Sequence, residues 1–284
     1  MLVSDSLYVR AARAEDKDAV IAFCHHTFSW GDYIPHVWDR WLADTSGQLL
    51  VGVLNEQPVS VMHVAIHGTM AWLEGMRVHP DFRRQGIARL TEAEGRAWAR
   101  ARGCRVARLA TSIKNLAAQA LLHRSGYQRI AQFNEWESDS TPGDFSFARI
   151  ATENDWQQLD AQWRASAMYQ ASSALLPDWH WRWTPLDETR WRAHLRAGEV
   201  RHSANAFAII IAYDEQDWST LSLFALAGDE DAMGALARAA RHEAAYRGYP
   251  RLEAQIADHP CANRALERAG FTRGDGMFVY ESAL

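Results

Sequence analysis

Residues 78–90 read VHPDFRRQGIARL, and the rest of the chain is best read outward from them. An apolar run precedes this stretch and a long helical pattern follows, so it is a strand-to-helix turn. Gly86 and Ala88 leave room for a ligand to approach the backbone closely. The first N–H groups of a helix have no intrahelical acceptor, and they point outward with the positive end of the dipole. Arg83, Arg84 and Arg89 add fixed charge with good geometry for phosphate oxygens. The set describes an anion site suited to a pyrophosphate. No Gly-Lys-Ser/Thr follows, which excludes a P-loop, and the glycine spacing differs from a dinucleotide fingerprint.

On the N-terminal side, residues 48–54, 58–67 and 70–78 are strand-like runs, with turns at 55–57 and 67–69. Residues 7–11 read as a strand. Residues 14–28 have helical spacing, with Val20, Phe23 and Phe28 among the apolar positions. The stretch 29–45 carries Trp30, Trp38 and Trp41 and shows no single period. On the C-terminal side the pattern predicts a helix over 86–102, ended by Gly103 as a left-handed cap. A strand over 105–111, a helix over 115–124 and a strand over 127–136 follow.

The order then partly begins again. ARARGCRVARL (99–109) aligns with AAYRGYPRLEA (244–254), placing Gly103 over Gly248. AAQALLHRSGY (117–127) aligns with CANRALERAGF (261–271), placing Gly126 over Gly270. We read this as a tandem duplication, with two unrelated α/β domains of coincidentally similar endings as the alternative. The duplication predicts a first domain over 1–137, a polar linker over 138–144 (SDSTPGD) and a second domain over 145–284. In the second half, strand-like runs at 145–151, 206–213, 218–225, 251–257 and 271–280 alternate with helices at 153–165, 229–247 and 260–269.

With these motifs in place, the first half resembles the GNAT superfamily of acyl-CoA N-acyltransferases. The family's Gln/Arg-x-x-Gly-x-Gly/Ala signature is met by Arg83-Arg84-Gln85-Gly86-Ile87-Ala88, with Val78-His79-Pro80 as its lead-in. A second family element, an Asn before a helix ending in Gly-aromatic, is met by Asn115 through Gly126-Tyr127. The resemblance implies a mixed α/β (α+β) fold, a mostly antiparallel central sheet flanked by helices, here duplicated. It implies acetyl-CoA as acyl donor, its pyrophosphate on the amides of Gln85, Gly86, Ile87 and Ala88. Met76, Arg77 and Val78 would hold the pantetheine arm, Arg83, Arg84 and Arg89 would supply charge, and Asn115 would contact the cofactor or a water. The family's usual general acid is a tyrosine, and Leu122 stands at that position, so either another group such as His123 or a water serves or the thiolate leaves unassisted. In the second half the signature falls over Gly228, Asp229, Glu230 and Asp231, whose carboxylates would repel a pyrophosphate. The second domain is therefore expected to be a degenerate copy without CoA.

Amine acylation needs a proton acceptor, and Glu74 is the candidate catalytic residue. Strand alternation places Glu74, Met76 and Val78 on one face, beside the expected thioester; a salt-bridged structural glutamate is the competing reading. His63 and His67 are weaker candidates. The four tryptophans of 179–191, with Arg182, Arg190 and Arg192, suit either burial or stacking on a substrate, and burial is the commoner use. Trp30, Trp38 and Trp41 lie where this superfamily shapes its acceptor pocket, which hints at a partly apolar acceptor.

Composition narrows the classes. The 284 residues carry a formal charge of −5, so a general nucleic-acid binder is not expected. Three widely spaced cysteines form no metal motif, no signal peptide begins the chain, and no apolar run approaches the ~20 residues that span a bilayer. A cytoplasmic N-acetyltransferase acting on a small-molecule or peptide amine is expected, with no metal, nucleic-acid or membrane partner. The alternative is a non-catalytic acyl-CoA-binding sensor or adaptor.

Overall fold

A computed structural model describes residues 7–25, 31–179, 181–215 and 218–284. The chain divides into two compact units. Unit 1 takes Met1–Leu109, Ala117–Gln128 and Tyr280–Leu284, and unit 2 takes Ala110–Leu116 and Arg129–Val279.

The chain begins with β1 (Leu7–Ala11), α1 (Lys17–Cys24) and α2 (Ile34–Leu42), followed by β2 (Gln48–Leu54), β3 (Gln57–His67) and β4 (Met70–Val78). Then come α3 (Ile87–Ala101), β5 (Val106–Ser112) and α4 (Leu116–Arg124). The strands of unit 1 run in the order β1-β2-β3-β4-β5. All neighbours are antiparallel except β4 and β5, which are parallel. The expected helix over 14–28 is shorter, because Ala14–Asp16 is a 3-10 turn and α1 ends at Cys24. Phe28 and Trp30 lie outside the described residues.

The core of unit 1 gathers Val20, Phe23 and Cys24 of α1, Val37, Trp38 and Trp41 of α2, and Leu49, Val51, Val53 and Val61 of the sheet. Trp38 and Trp41 are thus core residues and not an open acceptor wall: α2 is amphipathic, and both indoles fall on its buried stripe. Arg10 grips Asp16 with two hydrogen bonds (2.7 and 2.8 Å), and the Arg13 amide donates a third at 2.7 Å. Burial alone would raise the Asp16 carboxyl, but these donors outweigh it and hold it below the ordinary carboxylate range. A depressed carboxyl contributes stability above its unfolded pKa and loses it as pH falls through the folded value. Asp16→Asn is therefore expected to cost about 1–3 kcal/mol at pH 7, with the gap to wild type narrowing in acid-series melts. A gap that stays constant down to acid pH would refute the assignment.

The second part of the chain comprises β6 (Gln128–Asp139), β7 (Arg149–Ile150), α5 (Trp156–Ala165), α6 (Ala167–Ala171), β8 (Leu175–Trp179) and β9 (Arg182–Pro185). It continues with α7 (Glu188–Arg196), β10 (Val200–Ser203), β11 (Ala206–Glu215), β12 (Trp218–Gly228), α8 (Glu230–Tyr246), β13 (Arg251–Ala257), α9 (Pro260–Arg268) and β14 (Thr272–Ala283). The order within unit 2 is β14-β6-β13-β12-β11-β10-β7, with β8 and β9 as a separate hairpin. Here too one neighbouring pair is parallel, β12 with β13. The strand expected over 145–151 shrinks to the two residues of β7.

The glycines aligned in the two halves share a backbone conformation. Gly103 and Gly248 have φ of 84° and 83°, and Gly126 and Gly270 have 79° and 88°. Each ends a helix in the left-handed region, where a Cβ is costly. The units nevertheless do not divide at 138–144. Strand β6 pairs with β13 from Arg251↔Asp139 to Ala257↔Phe133, and the Ser140 amide donates to the Pro250 carbonyl at 3.0 Å. The linker's first residues therefore belong to unit 2, while the last five residues of the chain belong to unit 1. Arg96 there donates to the Ala283 carbonyl at 2.8 Å.

Trp183 and Trp191 are fully buried in unit 2. Arg190 donates to Thr184 Oγ1 and to the carbonyls of Thr184, Pro185 and Pro177 at 2.7–3.1 Å. This part of the tryptophan-rich stretch serves packing. The side chains of Trp179 and His180 lie outside the described residues.

Candidate active site

The site in unit 1 is built where β4 leaves its neighbour. The parallel ladder of β4 with β5 runs from Met70↔Val106 to Trp72↔Arg108 and stops there. Beyond it, β4 continues on the β3 side, through His63↔Glu74, Val61↔Arg77 and Ser60↔Val78. One residue of β3, Met62, faces two of β4, Gly75 and Met76, which is a β-bulge. Gly75 has φ +69°, and a Cβ on it would lie 2.6 Å from the Trp41 ring, so this position needs glycine on both counts.

The bulge revises the expected alternation. Glu74 and Arg77 pair with His63 and Val61 on the α2 side, whereas Val78 shares the face of Ser60, whose hydroxyl bonds Thr91 of α3 at 2.8 Å. Glu74, Met76 and Val78 therefore do not form one continuous row, because an inserted residue shifts the two-residue period. Glu74 is buried, with Oε1 2.9 Å from His63 Nδ1. His67 lies at the end of β3, paired with Met70.

The Arg77 side chain turns to the same face as Glu74. Its Nε and Nη2 donate to Asp32 Oδ2 and Oδ1 at 2.7 and 3.2 Å, and its guanidinium lies over the Tyr33 ring. Burial works against the Arg77 charge, yet the Asp32 bond outweighs it and raises the pKa. Burial also pushes the Tyr33 hydroxyl up, so it stays protonated. Asp32 accepts the Ile34 amide at 3.1 Å as well, tying the start of α2 to the end of β4. Asp32→Ala would strand a buried guanidinium and is expected to cost about 3–5 kcal/mol. Urea denaturation checks this, and a change under 1 kcal/mol would contradict it.

After β4 the chain makes a short turn, Pro80–Phe82, and enters α3 through Gly86. Arg83, Arg84, Gln85 and Gly86 are exposed, while Ile87 is buried and anchors the helix start. Gly86 has φ +80°, and no atom lies within 4 Å of the point where its Cβ would be. Arg84 also has positive φ, 63°. Among the described residues, the amides of Gly86, Ile87 and Ala88 donate to no backbone carbonyl; the first helical bond reaching back to Gly86 comes from Leu90 at 3.0 Å. Open donors, empty space and exposed arginines fit a pyrophosphate. The β4 segment released from β5 fits an extended pantetheine arm, because a strand edge can pair with any extended chain.

The remaining predicted positions fall as follows. Asn115 is counted with unit 2, and its amide donates to the Ser112 carbonyl at 3.0 Å just before α4. Leu122 is buried, so the family's tyrosine position contributes packing here, and His123 is exposed. In unit 2, Glu230 at the start of α8 is bound by Arg264 at 2.6 Å and by Arg268. An internal carboxylate thus neutralises the arginines beside that helix start. Sequence reasoning missed Asp44, Asp32 and Tyr33, which a pattern search had no reason to pick out of a stretch without periodicity.

Helix start, released strand edge and buried carboxylate together make up the candidate site. Residues 14–127 match the model described as Acetyltransferase (GNAT) family, and the acyl donor of that family is acetyl-CoA. The whole chain shares its fold with solved structures. One is a GCN5-related N-acetyltransferase from Sphaerobacter thermophilus, 13% identical, with 98% of this chain and 95% of that one covered at a TM-score of 0.68. Another is a putative acetyltransferase from Thermoplasma acidophilum, 15% identical, with 98% and 100% covered at 0.62. A third, from Pyrococcus horikoshii and also described as a putative acetyltransferase, is 14% identical, with 100% and 92% covered at 0.59. A search of curated protein sequences returned no match. No helix among the described residues is long and apolar enough to cross a membrane.

Proposed function

We propose that unit 1 moves an acetyl group from acetyl-CoA to a primary amine of a small molecule or peptide. One juxtaposition carries this reading: an open helix start flanked by Arg83 and Arg84 follows directly on a strand freed from β5, with the buried carboxylate of Glu74 beside its bulge. Bound acetyl-CoA supplies an activated acetyl thioester. The amides of Gln85 to Ala88 and the charges of Arg83, Arg84 and Arg89 hold the pyrophosphate. The backbone of Met76, Arg77 and Val78 orients the pantetheine arm. Glu74 takes the proton from the attacking amine as the C–N bond forms and the C–S bond breaks. The thiolate leaves without a protein proton donor at position 122.

The second half, in this reading, is a degenerate repeat of the first that binds no CoA. The free cysteines suit a reducing, cytoplasmic setting. Calorimetry with acetyl-CoA, followed by an amine screen read as thiol release, tests the proposal. One tight site per chain with amine-dependent release supports it. Binding without release would favour the sensor, and absence of binding would refute both.

A further inference from the structure

His63 links two carboxylates in unit 1. Its Nδ1 lies 2.9 Å from Glu74 Oε1, and its Nε2 lies 3.1 Å from Asp44 Oδ2. The ring is fully buried and stacks on Trp41, with centroids 4.8 Å apart and planes 5° from parallel. We infer that His63, backed by Asp44, is the positioning residue that aims Glu74 at the acceptor amine. This rests on the reading of Glu74 as proton acceptor.

The argument begins with a proton count. Ionised carboxylates only accept, and a neutral imidazole has one N–H, so two hydrogen bonds require two protons shared among the three groups. The trio therefore shares its protons along one hydrogen-bonded chain. A buried chain of this kind adds little stability over apolar packing, and Trp41 already offers an apolar surface for a leucine or methionine at position 63. What the chain does supply is orientation. One Glu74 oxygen is held by the ring, the ring cannot turn beneath Trp41, and Asp44 is itself fixed. Ser46 donates to Asp44 through its amide (2.9 Å) and its hydroxyl (2.8 Å). Burial raises the Asp44 carboxyl, but these bonds and the Gly47 amide outweigh it and keep it below the ordinary range.

Gly47 shows how closely the contact is built. A Cβ there would lie 2.2 Å from Asp44 Oδ2 and 2.9 Å from His63 Nε2. The other titratable groups on this face are Cys24 of α1, Asp32 and Tyr33 at the start of α2, and Arg77 of β4. Arg77 is neutralised by Asp32, and burial pushes the Cys24 thiol up to about 12. Asp44 and Glu74 are the carboxylates that contact the ring.

The test uses the full chain carrying 13C-carboxyl glutamate and 15N-histidine, with signals assigned through Glu74→Gln and His63→Gln. In His63→Leu, Glu74 loses a donor to its charged form, so its titration midpoint should rise by about one pH unit. His63→Gln, whose amide can still donate, should restore part of the shift. In Asp44→Ala the ring loses the partner of its Nε2, and the 15N signal of that nitrogen should move. Asp44→Asn, which removes the charge and keeps the shape, should move it less and serves if Asp44→Ala does not fold. With an amine from the screen, His63→Leu should lower kcat about tenfold or more while KM stays within twofold of wild type. The acid limb of its pH profile should move up together with Glu74. An unmoved Glu74 midpoint, or an acid limb that stays in place while the midpoint moves, would overturn the inference. If no amine turned over in wild type, the acyltransferase reading would fail, and the titrations would still decide whether the three groups act as one.

Discussion

Gly86→Glu should abolish acetyl-CoA binding while leaving the protein folded. Two effects add at this position. A side chain at φ +80° costs about 1–2 kcal/mol in the cofactor-ready conformation. The new carboxylate would also sit among the open amides at the start of α3, where the helix dipole welcomes an anion and the substituted side chain would supply one in place of the cofactor's phosphates. Affinity is expected to fall at least about 100-fold, or 2.7 kcal/mol. The melting temperature should fall by only a few degrees, since residue 86 is exposed with empty space around its Cβ position. Gly86→Ala separates the two effects, because it brings strain without charge and should lose much less affinity. Wild-type affinity in Gly86→Glu would place the cofactor elsewhere and remove the basis for the proposed site.

Glu74→Gln should lower kcat by about 10²- to 10⁴-fold with acetyl-CoA affinity unchanged. The amide oxygen of glutamine can still accept a hydrogen bond from His63, so the fold of this region is preserved and only the basicity is lost. The sign of the pH dependence follows directly. Transfer requires Glu74 in its ionised form, so wild-type kcat should fall as pH drops through the Glu74 titration, and that acid limb should be missing in the variant. Stopped assays of thiol release across pH test both points. A variant that keeps wild-type kcat and the same acid limb would mean that Glu74 is structural and that water accepts the proton.

Unit 1 was legible in the sequence to different depths. The turn into α3, the helix itself, the three strands before it and the cap at Gly103 all follow from short-range rules, and the structure places them within a few residues of expectation. Glu74 was legible as a carboxylate on β4. Its surroundings were not, because Asp44 and Asp32 lie in a stretch with no single period. The alternation that put Glu74 in line with Met76 and Val78 failed at the bulge, which Gly75 permits but does not announce.

What the sequence determined by itself was local: where glycine relieves a positive φ, where helix amides lack acceptors, and where the same helix–Gly–strand order occurs twice. Those features depend on a few consecutive residues, so a short window contains their cause. Partner choice was decided only in the tertiary structure. The pattern of β6 specifies a half-buried strand but not which neighbour it joins, and it pairs with β13, more than a hundred residues away. Trp38 and Trp41 were equally suited to a pocket or a core until α2 packed against the sheet. His63 became more than a strand histidine once that packing brought Trp41 over its ring and Asp44 to its second nitrogen. Such contacts depend on how distant segments meet, and that is set by the burial of whole faces rather than by any one residue's neighbours in the chain.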